Sequence, residues 1–173
     1  MEHLKTLSSF INLRITSISR HGAHSPFVFG LIENVFHSKS TDLFTYSLES
    51  IEKTRADMLN DQSIIDVLDL GAGSKILNSK KRKIADIARV SLKKSKEALL
   101  LLRLSKYLNS KIIIELGTSL GITTLYLSET SNECLIYTLE ECPSTIEIAK
   151  NNYKKKKKKN IEVVEGNFNV TLP

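Results

Sequence analysis

The stretch that decides the fold runs from Lys111 to Leu127 and reads K-I-I-I-E-L-G-T-S-L-G-I-T-T-L-Y-L. Its β-branched run Ile112–Ile114 predicts a strand that is buried on both faces and delivers the chain to Glu115. Gly117 and Gly121 then predict a tight turn that opens a helix. In a strand–turn–helix unit of this kind, backbone N–H groups and the helix N-terminus face a polar ligand at close range.

The chain that follows this turn repeats the same alternation of element types. A helix is predicted from Thr123 to Glu129, a strand from Leu135 to Leu139, a helix from Ser144 to Tyr153 and a strand from Ile161 to Glu165. Strands that alternate with helices of about ten residues indicate βαβ units and a parallel sheet. The sequence therefore predicts an α/β fold with a Rossmann-like parallel sheet of three strands.

The chain before residue 111 reads mainly as helix. A dipeptide that supplies an N-cap and a first-turn proline, Ser25-Pro26, opens one helix that ends near Phe36. Helices are also predicted over 2–19, over 47–59 and from Arg82 to Leu108 with a break near Ser91, and the apolar run Ile64–Leu70 predicts a strand or a turn. We expect an N-terminal helical region over 1–110 and a cofactor-binding βαβαβ half over 111–173, in one domain overall.

The ends of the predicted strands carry side chains that suit a nucleoside. Glu140 lies 23 residues after Gly117, close to the offset of roughly 20 residues expected for an acid that binds both hydroxyls of a ribose. Asn167 and Phe168 follow the third strand, where an amide and an apolar ring suit the exocyclic amine and the face of an adenine. Ser119 stands where a dinucleotide fingerprint has glycine, which argues against a pyrophosphate cradle.

The motif E-L-G-T-S-L-G resembles motif I of class I S-adenosylmethionine-dependent methyltransferases, and most closely the O-methyltransferases of the catechol and caffeoyl-CoA type. The resemblance covers about Leu99 to Pro173. It implies S-adenosylmethionine as cofactor and methyl transfer, most simply O-methylation of a small molecule. By this resemblance the methionine end is lined by Glu115, Gly117, Thr118, Ser119 and Gly121, while Glu140 binds the ribose and Asn167 and Phe168 hold the adenine. The family often has aspartate where Asn167 stands.

Three other features compete for a functional interpretation. The segment Asp69–Ser74 (D-L-G-A-G-S) mimics a nucleotide loop, but Glu115, the next candidate acid, lies 44 residues past Gly71, so we interpret the segment as a structural turn. His21 and His24 have no carboxylate or cysteine nearby in sequence, and we interpret them as capping or surface groups; no metal site is predicted. The two cysteines predict neither a disulfide framework nor a zinc site, which favours a reducing cytoplasm.

The net charge of +6 equals the charge of the unbroken run Lys154–Lys159, so the rest of the chain is formally neutral. A run of like charges is typical of a solvated loop or a frayed helix end. No aromatic residues are interleaved for base stacking, so nucleic acid is not the expected partner. No apolar run approaches the roughly 18 residues of a membrane span, and the N-terminus does not read as a secretory signal.

By the same resemblance, strand four and later loops of the family supply the acceptor pocket, and here the sequence stops just after strand three. We therefore expect a truncated form of the fold whose open sheet edge is covered by a homo-oligomer or another partner. The catalytic residues remain unassigned. The alternatives are a non-catalytic remnant or interaction module that retains the fold and, less favoured because of Ser119 and the Gly-Thr turn, half of a nicotinamide-dependent oxidoreductase.

Overall fold

The computed structural model describes residues 25–38, 46–68 and 80–171. Residues 25–38 belong to a unit of their own, separate from the compact unit of residues 39–173. In the first unit, helix α1 (Pro26–Leu31) continues as a wider helical turn over Ile32–Phe36. Ser25 caps α1, because its side chain accepts a hydrogen bond from Val28 N. The helix predicted from the Ser25-Pro26 dipeptide is confirmed.

The second unit begins with helix α2 (Tyr46–Asn60) and an antiparallel pair of short strands, β1 (Ile64–Asp66) and β2 (Lys81–Lys83). Two helices follow, α3 (Ile84–Ser91) and α4 (Ser95–Tyr107), with extended backbone at Leu92 between them. The predicted break near Ser91 is therefore confirmed. Helix α4 ends where Asn109 adopts a positive φ of 50°, a conformation that asparagine tolerates better than most residues.

The remaining elements alternate as predicted. They are β3 (Ile112–Leu116), α5 (Ile122–Leu127), β4 (Leu135–Glu140), α6 (Pro143–Lys155), β5 (Ile161–Glu165) and the short helix α7 (Phe168–Thr171). The three strands form one parallel sheet in the order β3-β4-β5, with Ile114 opposite Tyr137 and Thr138 opposite Val163. The predicted α/β fold with helices before a parallel sheet is confirmed.

One prediction about local structure is wrong. Arg82 and Lys83 were expected to begin a long helix, but they lie in strand β2, because this segment pairs with β1 and thereby satisfies its backbone groups. The helix predicted over 2–19, the histidines His21 and His24 and the glycine segment Asp69–Ser74 lie outside the described residues.

A second wrong prediction concerns the burial of β3. Ile112, Ile114 and Leu116 expose 63%, 63% and 55% of their surface, so one face of this strand is open rather than buried. The opposite face carries Ile113 and, on β4, Ile136, which pack against the helices. A βαβαβ unit with right-handed crossovers places both of its helices on the same side of the sheet, so these helices leave the other side of β3 uncovered.

The core lies between the covered face of the sheet and the helices. Its largest fully buried side chains come from α2, α4, α5 and β4 and include Ile51, Leu102, Ile122, Leu125 and Ile136. Within the described ranges, no helix has the length and apolar character needed to cross a membrane.

Candidate functional site

The turn between β3 and α5 is held in left-handed backbone conformations. Gly117 has a φ of +90°, Ser119 of +49° and Gly121 of +80°. Gly117 N and Thr118 N both donate to the Leu139 carbonyl, at 2.9 and 3.2 Å, so the turn is anchored to the end of the neighbouring strand. The two glycines thus occupy positions where a side chain would impose backbone strain.

Ser119 is the non-glycine residue of this turn that has a positive φ, and its side chain is held in place. Its Oγ lies 2.9 Å from Ser91 Oγ, at the end of α3. The left-handed region is uncommon for serine, and such strain persists where the surroundings hold it. The turn is therefore fixed from two sides, by β4 and by α3.

Glu140 lies at the end of β4, directly beside the glycine turn. Its Oε2 accepts a hydrogen bond from Ser119 N at 2.8 Å, and its Oε1 accepts from Glu141 N and Cys142 N, both at 3.1 Å. Three backbone donors thus fix the orientation of the carboxylate. A carboxylate offers about four acceptor positions, so one remains for a further donor, such as a ribose hydroxyl.

Glu115 lies at the end of β3 and points into a cluster of threonines. Thr124 Oγ1 and Thr138 Oγ1 both donate to its Oε2, and Thr138 Oγ1 lies 2.6 Å from Thr118 Oγ1. Burial raises the pKa of the Glu115 carboxyl above its usual range, although the two threonine hydrogen bonds and the charge of Lys93 oppose that shift. The hydrogen bonds of this carboxyl group are therefore made mainly with protein groups and less with solvent.

Thr118 lies within the glycine turn, between Gly117 and Ser119. It is buried, and its hydroxyl is engaged by Thr138. Sequence reasoning missed Thr124 and Thr138, although a signal was present: Thr138 precedes Glu140 by two residues on the same strand and therefore shares its face. The threonine cluster ties the glycine turn to β4 and α5.

Asn167 and Phe168 follow β5 at the same edge of the sheet. Gly166 N donates to the Glu140 carbonyl at 2.9 Å, and Asn167 Nδ2 donates to Glu141 Oε2 at 3.1 Å. Phe168 opens α7 and is partly buried. All three strand ends therefore converge at one edge, and Glu141 joins the group as a residue that the motif did not single out.

A cavity of about 420 Å³ opens beside β3, within the size range of small-molecule sites. One end is polar and is lined by Ser91, Lys93, Glu115 and Ser119. The apolar walls come from a stripe along α4 and its end, namely Leu101, Leu104 and Leu108, and from Ile113, Ile114 and Leu116 of β3. The three leucines of this stripe have helical spacing, a pattern that by itself predicts only a helix face packed in the core. In the structure, the same face also borders the cavity.

The lysine run is less solvated than its composition suggested. Lys156 Nζ donates to the Ser50 carbonyl at 2.6 Å, and Lys158 forms a largely buried ion pair with Glu129. Lys157 adopts a positive φ of 53°, with its N–H bonded to Lys154 O and the next N–H bonded to Tyr153 O, which is the Schellman end of a helix. The expectation of a wholly solvated run is therefore wrong for two of the six lysines.

Comparisons with solved structures identify similar folds. The S-adenosylhomocysteine-bound methyltransferase PaMTH1 from Podospora anserina is 20% identical with a TM-score of 0.50, over 75% of this chain and 45% of that one. An O-methyltransferase from Bacillus cereus in complex with S-adenosylhomocysteine is 17% identical with a TM-score of 0.45, over 82% and 52%. A Staphylococcus aureus protein provisionally named a caffeoyl-CoA O-methyltransferase is 25% identical with a TM-score of 0.45, over 48% and 40%.

The likeness to PaMTH1 shows that this chain shares the fold of that protein over the matched part. The chain spans about half the length of these proteins or less. No protein-family model and no curated protein sequence matches the chain.

Proposed function

We propose that this chain binds S-adenosylmethionine at the carboxyl edge of the β3-β4-β5 sheet and serves methyl transfer to a small-molecule acceptor. The observation that carries the proposal is the carboxylate of Glu140, which is fixed by Ser119 N against a left-handed glycine turn. An acid in this position, next to a turn of this kind, is the arrangement expected for holding the ribose of a nucleoside cofactor. The fold shared with PaMTH1, which was crystallised with S-adenosylhomocysteine, supports the same proposal.

The residues at this edge fit the parts of the cofactor. A Cβ built on Gly117 would meet nothing within 4 Å, so the turn borders open space rather than packed side chains. The remaining acceptor position of Glu140 suits a ribose hydroxyl, and the carbonyl oxygen of the Asn167 amide suits the adenine amine. The methionine end would be held by Glu115, Gly117, Thr118, Ser119 and Gly121, and Phe168 would lie against the adenine.

The sulfonium of S-adenosylmethionine supplies an electrophilic methyl group when it is bound. The role of this chain would then be to bind the cofactor and to orient it towards the acceptor. The fixed Glu140 carboxylate and the anchored turn hold their positions without reorganisation, which lowers the entropic cost of aligning two reactants. The residue that removes a proton from the acceptor stays unassigned.

Substitution of Glu140 tests the proposal directly. We expect Glu140→Ala to weaken the binding of S-adenosylhomocysteine by about tenfold to a hundredfold, because a hydrogen bond to a charged group contributes about 1.5–3 kcal/mol. Isothermal titration calorimetry measures this, with NAD as a second ligand that should not bind. The matched control is Glu165→Ala, at the end of the adjacent strand, whose exposed side chain pairs with Lys150.

Two results would contradict the proposal. One is an unaltered affinity in Glu140→Ala, provided that its melting temperature shows a folded chain. The other is tighter binding of NAD than of S-adenosylhomocysteine by the unsubstituted protein, which would favour the oxidoreductase alternative. Turnover by the 173-residue chain with phenolic acceptors distinguishes an active enzyme from a non-catalytic module that retains the fold.

We further propose that a second copy of this chain or another partner covers the open face of β3. Ile112, Ile114 and Leu116 form an alternating apolar row along this strand, whose outer edge makes no pairing with another described strand. Unprotected apolar edges are typical sites of association. The free thiols Cys134 and Cys142 agree with a reducing compartment, and a cytoplasmic location stays a prediction.

Sedimentation velocity tests whether this face associates. The unsubstituted chain should form oligomers whose fraction rises with concentration, and Ile114→Lys should shift it towards monomer at the same concentration. Val90→Lys is the control, because Val90 is an exposed apolar residue on α3, away from the sheet. A chain that stays monomeric at all concentrations, with a melting temperature independent of concentration, would refute self-association.

A further inference from the structure

The side chains of Glu141, which follows β4, and Asn167, which follows β5, are in direct contact. Asn167 Nδ2 donates to Glu141 Oε2 at 3.1 Å, and both side chains are partly buried. A carboxylate oxygen only accepts hydrogen bonds, whereas the two ends of an amide differ, because its nitrogen is a donor and its oxygen an acceptor. The contact therefore selects one of the two amide orientations, in which the oxygen of Asn167 points away from Glu141.

Hydrogen bonds hold the backbone on both sides of this contact. Gly166 N donates to the Glu140 carbonyl, and the Asn167 carbonyl accepts from Val170 N, both at 2.9 Å. On the other strand end, Glu141 N donates to Glu140 Oε1 at 3.1 Å. The backbone is therefore fixed at both strand ends, and what the Glu141 carboxylate adds is the orientation of the amide.

These contacts join the acid proposed for the ribose to the amide proposed for the base. The Glu140 carboxylate holds the backbone of Glu141, and the Glu141 carboxylate holds the amide of Asn167. A nucleoside whose ribose binds at Glu140 lies along the carboxyl edge of the sheet, where the neighbouring strand end carries Asn167. The orientation of this amide then decides which groups on a base it can bind.

We propose that Glu141 is a positioning residue that makes this site selective for adenine over hypoxanthine. The inference rests on the proposed function, because it concerns the base of the proposed cofactor. The oxygen of the oriented Asn167 amide has two lone pairs, so it can accept from the exocyclic amine of adenine in addition to another donor. Hypoxanthine has a carbonyl oxygen in place of that amine, and two facing acceptors repel each other. An amide that turned freely would present its nitrogen to this carbonyl and would accommodate either base.

Titration calorimetry with S-adenosylhomocysteine and with S-inosylhomocysteine, in which hypoxanthine replaces adenine, tests the inference. We expect the unsubstituted chain to bind the adenine form about tenfold to a hundredfold more tightly. Glu141→Gln should lower this ratio to about threefold or less, because a glutamine side chain can contact either end of the Asn167 amide. Glu165→Gln is the matched control: it removes the same charge from an exposed position at the end of β5 and should leave the ratio unchanged.

The exchanged pair Glu141→Gln/Asn167→Asp provides a second test. In this double variant the new amide can donate to the new carboxylate, whose other oxygen accepts from the adenine amine. The ratio should therefore return to that of the unsubstituted chain. A variant that lost its fold would lose both ligands together, so a restored ratio reports on the choice of base and not on stability.

The outcomes separate this inference from the proposed function. An unaltered ratio in Glu141→Gln, with S-adenosylhomocysteine still bound, would overturn the inference and leave the proposed function standing. An equal fall of the ratio in Glu165→Gln would also overturn the inference alone, because loss of charge at this edge would then be the cause. Failure of the unsubstituted chain to bind S-adenosylhomocysteine would overturn both.

Discussion

Gly121→Ala should lower the free energy of unfolding by about 2–5 kcal/mol. A left-handed conformation costs a non-glycine residue about 1–2 kcal/mol, and Gly121 has a φ of +80°. A Cβ at this position would also lie 2.6 Å from Tyr153 Oη and under 3.0 Å from two of its ring carbons. Tyr153 is buried in the core, so it cannot move aside freely, and overpacking of this kind costs about 1–3 kcal/mol. Chemical denaturation measures the loss.

Gly117→Ala separates the two causes of this loss of stability, namely backbone strain and the contact with Tyr153. Gly117 shares the positive φ but has open space around its Cβ position, so only the backbone strain of about 1–2 kcal/mol should appear. The double variant Gly121→Ala/Tyr153→Leu should lose less stability than the sum of its single variants, because the smaller side chain makes room for the methyl group. Additive losses would show that the contact with Tyr153 has no part in the effect.

Glu52→Ala should destabilise the protein by about 2–4 kcal/mol. Glu52 accepts hydrogen bonds from Arg55, Tyr126 and Ser95, so it joins α2 to α5 and to the start of α4. Its removal leaves the guanidinium of Arg55 in a nearly dry environment without its counter-charge. Breaking a fully buried pair costs about 3–5 kcal/mol, and the partial exposure of the Glu52 side chain reduces that cost. Glu49→Ala, on an exposed position of the same helix, should have little effect.

The contribution of Glu52 should also depend on pH. Burial opposes ionisation, but the hydrogen bonds from Ser95, Arg55 and Tyr126 prevail and lower the pKa of the Glu52 carboxyl. The stabilisation is therefore complete above the ordinary glutamate pKa and is lost as the pH falls through the lowered value. Melting temperatures of Glu52→Ala and the unsubstituted chain should converge at acidic pH, and a constant difference down to pH 2 would contradict this explanation.

The parallel sheet and its turn could be predicted because their signals are local. The β-branched run of β3, the glycines of the turn and the proline at the start of α6 each restrict the backbone through their own covalent structure. The position of Glu140 beside the turn follows from the alignment of parallel strands, in which the carboxyl ends meet at one edge.

The features that could not be predicted depend on contacts between distant parts of the chain. Lys81–Lys83 forms a strand because β1 supplies its hydrogen-bond partners, and the periodicity of the sequence does not indicate that pairing. The exposed face of β3 was missed because an apolar run reads the same whether one face or two are covered. Likewise, Arg55 lies 38 residues from Lys93, whose carbonyl it contacts, so no short window of sequence indicates this contact.

The inward contacts of Lys156 and Lys158 give the run of six identical residues a defined register. If the whole run were solvated, inserting or deleting one lysine would change only the length of the run. In this structure, such an insertion or deletion would move the amines of Lys156 and Lys158 away from Ser50 and Glu129. It would also shift the position with left-handed backbone, which Lys157 now occupies. Residues 156–160 therefore form a connection of fixed length between α6 and β5, and this length, more than the charge of the run, is the property that the fold constrains.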